Sequence, residues 1–371
     1  MKQDSVIAVC IVVCLGVEVL ADNTKPSKTS QAESELKYVK SVRIQGSAWD
    51  SDQTDCQIKL VCRQGVGKDA GEEAYLGSKA RDDFGDVRFR DETGTLHYWM
   101  EKCEPGERAV FWVRIPKIPS KGSVRVQLHY GNQAVNTASN GEKTFRFFDD
   151  FLGDYAGKRD QNVPRCWENE DDTKKANRWI VKDGIIMFRG RGHLNTPTKI
   201  WPRPSKACYT LRFRAKWPKP PFANPGENGQ SIGGVSWKAT DGNAWMDIIG
   251  LWQPKHESKF RLAHAASFGR LPGNDHDFDR RYEFVFARYK DAYTGEFYTY
   301  EIERRPDRTL ARILETGDEL SSQSVIDDEL YLMIHGCKFG FANSPYLSVD
   351  WMLLRKQAYP KPSYGDWKRD K

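Results

Sequence analysis

The sequence predicts an all-β chain of two modules, a β-sandwich followed by a larger two-sheet jelly roll. Three observations predict it. From Tyr38 onward short stretches alternate apolar and polar residues, Gly, Asp, Asn and Pro separate those stretches, and sustained helical periodicity is scarce. At about 100–200 residues per domain, 371 residues suffice for two cores. A chain with 39% hydrophobic and 12% aromatic residues is neither disordered nor collagenous nor a coiled coil.

The elements follow in chain order. Residues 1–21 read as a signal peptide: Lys2 precedes an apolar run from Val6 to Leu20, interrupted by Gly16 and Glu18, and Val19-Leu20-Ala21 offers small residues for cleavage. The run is too short for the ~20 residues of a spanning helix, so no transmembrane segment is expected. Residues 22–37 are polar and read as a flexible leader. The first module covers 38–135, with strands expected at Val39–Ile44, Cys56–Cys62, Asp86–Arg90, His97–Lys102, Ala109–Ile115 and Ser123–Tyr130. In Ala109–Ile115 the alternation puts Val110, Trp112 and Arg114 on one face and Phe111, Val113 and Ile115 on the other, with Trp112 a core residue. Asp86–Asp91 is expected to oppose a charged face to a buried Val87/Phe89 face.

A linker follows at 136–144, and the second module covers 145–359. Its expected strands are Trp179–Val181, Ile185–Phe188, Cys208–Ala215, Ser231–Ala239, Ala244–Trp252, Phe260–Ala266, Tyr282–Tyr289, Phe297–Arg304, Arg308–Glu315, Glu329–Gly336 and Tyr346–Arg355. So many strands exceed an immunoglobulin-like module and suit a jelly roll. Residues 360–371 read as a frayed tail.

Charge and cysteine content bound the function classes. The formal net charge is +6, but Lys and Arg are interspersed with Asp and Glu, as in Lys158-Arg-Asp. This is a solvated mixed surface; nucleic acid is not expected as a partner. An exported chain meets an oxidising compartment, so Cys56, Cys62, Cys103, Cys166, Cys208 and Cys337 are expected in disulfides. Cys56 and Cys62 share one face of one strand about 20 Å apart and cannot pair with each other.

Three stretches then resemble a known module. Phe84-Gly-Asp-Val-Arg-Phe-Arg-Asp-Glu-Thr-Gly-Thr-Leu-His-Tyr-Trp-Met-Glu, Ala109-Val-Phe-Trp-Val-Arg-Ile-Pro-Lys-Ile-Pro and Gly122-Ser-Val-Arg-Val-Gln-Leu-His-Tyr-Gly-Asn occur in this order. Together they resemble the domain-of-unknown-function 2341 family of secreted proteins over about residues 38–135. The second module, through Phe148-Asp-Asp-Phe and Leu347-Ser-Val-Asp-Trp-Met-Leu-Leu-Arg, is similar to a concanavalin-like, laminin-G-like sandwich. The resemblance implies an extracellular, glycan-related setting and supplies no catalytic residue.

Sandwiches of that kind bind glycans on one sheet, where flat rings stack on sugars and polar groups bond hydroxyls. Trp201, Trp217, Trp237, Trp245 and Trp252 cluster within about fifty residues, and the ligand-binding candidates among and beside them are Trp237, Trp245, Asp247, Arg261 and His264. On Ala244–Trp252, strict alternation groups Trp245, Asp247, Ile249 and Leu251 on one face. Jelly-roll glucanases similar to this module flank an aspartate with two glutamates; here Asp247 is present and both glutamates are absent, which argues against retaining hydrolysis. A lyase would need a His or Tyr base with an Arg, which His264, His335, Arg261, Tyr298 and Tyr300 could supply. Asp149, Asp150 and Asp350 are candidate ligands of a structural calcium; no other cofactor is expected. The first reading is therefore a secreted, lectin-like protein without catalytic activity, its partner an extracellular polysaccharide or glycoconjugate. The alternatives are a carbohydrate-active enzyme, lyase or hydrolase, and a structural or adhesive component that contacts matrix proteins.

Overall fold

The computed structural model describes residues 36–46, 49–152, 166–169, 179–188, 193–202, 207–217, 230–238, 245–253, 261–265, 284–287, 295–322, 329–336 and 347–370. For residues 168–169, 230–238, 245–253, 261–265, 284–287 and 335–336, and for His193, Ala207, Leu320 and Ser322, the description is of backbone and register. The expected signal peptide and leader lie outside the described residues up to position 35.

The chain is all-β, as its alternation predicts. The first sandwich is built from β1 (Tyr38–Gln45), β2 (Gln53–Arg63), β3 (Glu73–Tyr75), β4 (Arg88–Asp91), β5 (Gly94–Leu96), β6 (Tyr98–Glu104), β7 (Arg108–Ile118) and β8 (Ser123–Tyr130). One sheet runs β3-β2-β7-β6 and the other contains β1-β8-β4-β5. Between them lie the inward rows, among them Ile58, Leu60, Phe89, Phe111, Val113, Ile115, Val126 and Leu128. The predicted split of β7 holds: Phe111, Val113 and Ile115 are in this core, whereas Trp112 is buried on the opposite face. Asp86 and Arg88, on either side of Val87, are buried and not solvated. Asp86 accepts from the backbone N–H of Arg81, Gly131 and Asn132, and Arg88 donates to the carbonyls of Gly85 and Val87 and to Tyr98 Oη. Loop backbone needs partners when buried, and these side chains supply them.

A one-turn helix, α1 (Gly141–Thr144), capped by Asn140, leads into the second sandwich. Its strands are β9 (Phe147–Asp149), β10 (Glu168–Asn169), β11 (Trp179–Lys182), β12 (Ile185–Phe188), β13 (His193–Asn195), β14 (Ala207–Lys216), β15 (Gln230–Lys238), β16 (Trp245–Gln253), β17 (Arg261–Ala265), β18 (Phe284–Ala287), β19 (Tyr298–Arg304), β20 (Thr309–Ile313), β21 (Asp318–Ser322), β22 (Tyr331–Gly336) and β23 (Leu347–Ala358). An eight-stranded sheet runs β11-β12-β23-β14-β19-β20-β21, with β9 on β23, and a seven-stranded sheet runs β10-β13-β22-β15-β16-β17-β18. Asp183 and Gly184, at φ 52° and 72°, make the two-residue turn between β11 and β12, a geometry that twisted strands favour. Trp179, Phe188, Leu194, Trp201, Leu211, Phe213, Trp217, Tyr300, Ile302, Leu332, Ile334 and Leu354 fill the space between the sheets.

The stretch expected to fray is paired. After β23, Ala358 enters the core of the first sandwich, Trp49 Nε1 donates to the Pro360 carbonyl, and β24 (Ser363–Tyr364) and β25 (Lys368–Asp370) pair antiparallel with β1. Tyr364 Oη donates to the Lys59 carbonyl and Trp367 Nε1 to that of Gly71, which anchors the strap across the sandwich. Its polar composition hid this, because an edge strand needs few apolar side chains.

The expected disulfides are corrected. Cys56, Cys62, Cys103, Cys166 and Cys208 are free thiols, and Cys337 lies outside the described residues. The register gives the reason for one pair: Cys62 and Cys103 flank Ala109 from opposite sides of β7. That is two strand spacings, roughly 9.5 Å, beyond the reach of a disulfide. Burial pushes the Cys56 thiol up to about 11 and that of Cys208 up to about 12, so both stay protonated.

Candidate functional site

The two sheets of the second sandwich each have an outward face, and their chemistry differs. On the eight-stranded sheet the outward rows hold Arg212 (β14), Glu301 and Glu303 (β19), Arg312 (β20) and Arg355 (β23). Arg212 donates to Glu301 Oε2 from Nε and Nη2 at 2.9 and 2.6 Å, and from Nη1 to both oxygens of Glu101 of the first sandwich at 2.7 and 3.0 Å. Trp112 lies between two guanidinium groups, 4.8 Å from Arg212 and 4.6 Å from Arg355, and its Nε1 donates to Glu101 Oε2 at 2.7 Å. Trp99, Phe145, Phe148 and Trp351 surround the contact edge to face. Burial alone would raise the Glu301 carboxyl, but Arg212 and Arg355 override it and hold the group well below the usual carboxylate range. The part of this face around Arg212 and Arg355 is occupied by the first sandwich. That part is not available to a ligand.

The seven-stranded sheet is read from register. Leu194, Leu332 and Ile334 are core residues, so the rows through them face the other sheet. Leu332 pairs with Trp237, and Trp237 with Met246. Trp237 therefore stands on a core row, apart from the other candidates. Rows of the opposite parity are the outer rows. One joins Tyr331, Lys238 and Trp245; the next joins Asn195, Met333, Ser236 and Asp247; a third joins His193, His335, Gly234, Gly250 and Ala263; a fourth joins Trp252 and Arg261.

A bulge makes this grouping. Val235 pairs with Ile249 but Ser236 with Asp247, so Ile248 is the extra residue. Beyond it the alternation reverses: Gly250 and Trp252, not Ile249 and Leu251, join Trp245 and Asp247 on the outer rows. Arg261 joins them through Trp252, while His264 pairs with Val285 on the parity of Leu262 and takes a core row. Of five sequence-derived candidates, Trp245, Asp247 and Arg261 share a face; Trp237 and His264 do not. Strict alternation had put Trp252 on the opposite face, and sequence reasoning missed His193 on this one. Gly250 inside a strand was the available signal, since glycine there often marks a bulge. Met333, 0% exposed, shows that the outer face is covered at that point.

The remaining candidates are placed elsewhere. Tyr300 is buried between the sheets, stacked on Phe213, and Tyr298 packs beside it, both on the eight-stranded sheet and away from His335. Trp201 and Trp217 are likewise core. Asp149 is buried and accepts from Phe151 N at 2.8 Å, Trp167 Nε1 at 2.7 Å and Cys166 Sγ at 3.1 Å; burial raises its carboxyl. Asp150 accepts from Leu152 N, and Asp350 pairs with Arg214. Among the described residues no cluster of three His, Cys, Asp or Glu is placed to hold a metal ion, and no helix is long and apolar enough to cross a membrane.

What the outer face can do follows from its donors. Paired-carboxylate hydrolysis needs two carboxyl groups ~5 to 9.5 Å apart. Positions 245, 247 and 250 share the face across the bulge and hold Trp, Asp and Gly, a single carboxylate. Another on these rows is Glu168, which pairs with Asn195. It is four strand spacings from Asp247, roughly 19 Å. The described rows therefore hold no such dyad.

Residues 83–170 match the family described as Domain of unknown function (DUF2341). The match enters the first sandwich midway and continues through α1 and β9 to the end of β10, so it straddles both sandwiches rather than the first alone. No curated protein matches the chain. Among solved structures, the chain is similar to an endo-1,3-beta-glucanase from Streptomyces sioyaensis, at 13% identity and a TM-score of 0.37 over 57% of this chain and 95% of that one. It is also similar to LamAcat from Zobellia galactanivorans (15%, 0.35, 58% and 100%) and to an alginate lyase from Pseudomonas aeruginosa (12%, 0.34, 50% and 87%). Likeness at this level carries no residue or activity over to this chain.

Proposed function

We propose that the chain binds an extracellular polysaccharide or glycoconjugate on the outer rows of its seven-stranded sheet, without hydrolysing it. One observation carries the reading: the bulge at Ile248 collects Trp245, Asp247, Gly250 and Trp252 into the parity of Arg261. Two indoles for sugar faces, a carboxylate and a guanidinium for hydroxyls, and a glycine that permits close approach then lie along roughly 20 Å of one strand and its neighbour. On the other outward face the charged centre, Arg212 with Glu301 and Arg355, is bonded to the first sandwich, which favours this one. Export, as the first 21 residues suggest, would bring the face to its ligand.

A glycan array with the chain from Asp22 onward tests the reading. Selective retention on one sugar class is expected, with about fivefold loss or more in Trp245→Ala, because one stacked aromatic supplies about 1 kcal/mol. Retention unchanged in both Trp245→Ala and Asp247→Ala overturns it. Lyase chemistry is the second reading, supported by His335, Arg261 and Tyr331 on the same outer rows, where an imidazole base and a guanidinium could serve proton abstraction beside an acidic sugar. Growth of absorbance from unsaturated uronate products would select it over simple binding.

A further inference from the structure

The first sandwich carries a charged face that the rest of the fold does not match. On the sheet containing β1-β8-β4-β5, Val42, Ile44, Phe89, Leu96, Val126 and Leu128 point into the core. Alternation therefore turns Arg43 (β1), Arg125 and Gln127 (β8), Arg90 (β4) and Thr95 (β5) outward. Arg43 and Thr95 are exposed, and Arg90, Arg125 and Gln127 are partly exposed. Arg43 pairs directly with Arg125, while Thr95, Arg90, Gln127 and Ser41 form the neighbouring row. Diagonal neighbours on adjacent strands lie ~7–8 Å apart, which sets Arg90 beside Arg125. Elsewhere in this module arginines hold carboxylates: Arg63 with Glu73, Arg81 with Asp83, Arg108 with Glu104 and Arg114 with Asp55. Among the described residues, Arg43 donates to Ser123 Oγ and to no carboxylate, and Arg90 holds none either, its Nε buried without a hydrogen-bond partner. The carboxylate on these outward positions is Asp370 of the strap, which Arg125 and Ser41 share. Like charges set directly opposite destabilise a sheet, so the Arg43–Arg125 pair is a cost that the fold itself does not offset.

We infer that this face of the first sandwich binds an acidic polysaccharide through the sulfate or carboxylate groups of the polymer. Guanidinium forks bond such groups bidentately and stay charged at any working pH. Gln127 and Thr95, in the row of Arg90, supply an amide and a hydroxyl for the sugar hydroxyls between the charges. Single-stranded nucleic acid fits less well, because it needs ring platforms for its bases, and no Phe, Tyr or Trp stands on these outward positions. The choice of a polysaccharide rests on the extracellular setting proposed above. The face itself is a separate one: it shares no residue with the seven-stranded sheet, and it attracts charge rather than sugar rings.

Titration of the chain from Asp22 onward with heparin, a sulfated polymer, and with polyguluronate, a carboxylated one, tests it. Binding of either supports the site, and the tighter of the two identifies the group. The affinity should fall steeply between about 20 and 300 mM salt, because partly exposed charges are screened. Arg43→Gln and Arg90→Gln leave no carboxylate without its partner, so both variants should fold. Each should weaken binding about threefold, and the two together about tenfold. Asp370→Asn removes the competing carboxylate and should strengthen binding about twofold, an effect that a merely structural role would not produce. Arg63→Gln, on the opposite sheet, and Trp245→Ala, in the second sandwich, should leave it unchanged. Absence of binding to both polymers, or binding that survives Arg43→Gln with Arg90→Gln, overturns the site. Retention of duplex DNA without retention of either polymer overturns it as well. Loss of the glycan-array signal with heparin binding intact would remove the earlier reading alone.

Discussion

The two sheets of the second sandwich start from the same alternation of apolar and polar residues and end with opposite uses of the polar rows. On the eight-stranded sheet, Arg212, Glu301 and Arg355 are buried against Trp112 and Glu101 of the first sandwich. On the seven-stranded sheet the same parity holds Trp245, Asp247, Trp252, Arg261, His193 and His335, and the first sandwich packs on the other sheet. Charge in a strand is thus not by itself a sign of a binding face. Arginines and carboxylates in matched numbers on adjoining strands mark a buried contact between modules, while the seven-stranded sheet sets indoles, one carboxylate and one guanidinium at neighbouring register positions.

The comparison can be broken by substitution, the eight-stranded face losing stability and the seven-stranded face losing binding. Arg212→Met leaves Glu101 and Glu301 buried without their shared partner and should cost about 3–5 kcal/mol of unfolding free energy in urea. A loss under about 1 kcal/mol would show that water reaches the contact. Trp112→Phe keeps a ring between the guanidinium groups but removes the donor to Glu101. About 1.5–3 kcal/mol should be lost, as for other hydrogen bonds to charged groups.

Acid should separate the modules next. Glu301 and Glu303 are each held below the ordinary carboxylate value; in both, burial opposes ionisation and the surrounding arginines prevail. A carboxylate depressed in the folded state contributes stability that is complete above its unfolded value, near 4.3, and fades as pH falls towards the folded value. The urea midpoint should therefore be level from pH 7 to 5 and fall below about 4. Asp149, whose carboxyl is raised by burial, has the opposite sign and should soften the fall. The smallest stability effect belongs to the other sheet. Asp247→Asn should change the unfolding free energy by no more than about 0.5 kcal/mol while weakening glycan retention. A larger loss would mean that Asp247 holds the fold together and is not free for a ligand.

Much of this was legible in the sequence. The strand expected at Ser123–Tyr130 occurs with those bounds, Cys56–Cys62 lies inside Gln53–Arg63, and Cys208–Ala215 lies inside Ala207–Lys216. Strong period-2 alternation suffices for that. The candidate site was half legible, since Trp245, Asp247 and Arg261 are short-range readings of single strands. The face they share depends on one extra residue, Ile248, and a bulge reverses every assignment beyond it. The contact between modules was hidden for another reason: Arg212, Glu301 and Arg355 lie on strands far apart in the chain, and each alone reads as a solvated charge. That Cys62 and Cys103 cannot pair with each other likewise follows from strand order, which spacing along the chain does not disclose.

The strap has a consequence for the order of events in synthesis. Val39 pairs with Asp370, and Ile44 with Tyr364, so β1 finds two of its neighbours only among residues made more than three hundred positions later. Until those residues emerge, β1 keeps a bare hydrogen-bonding edge, the kind that invites wrong partners. The module that leaves the ribosome first is thereby the last to be finished.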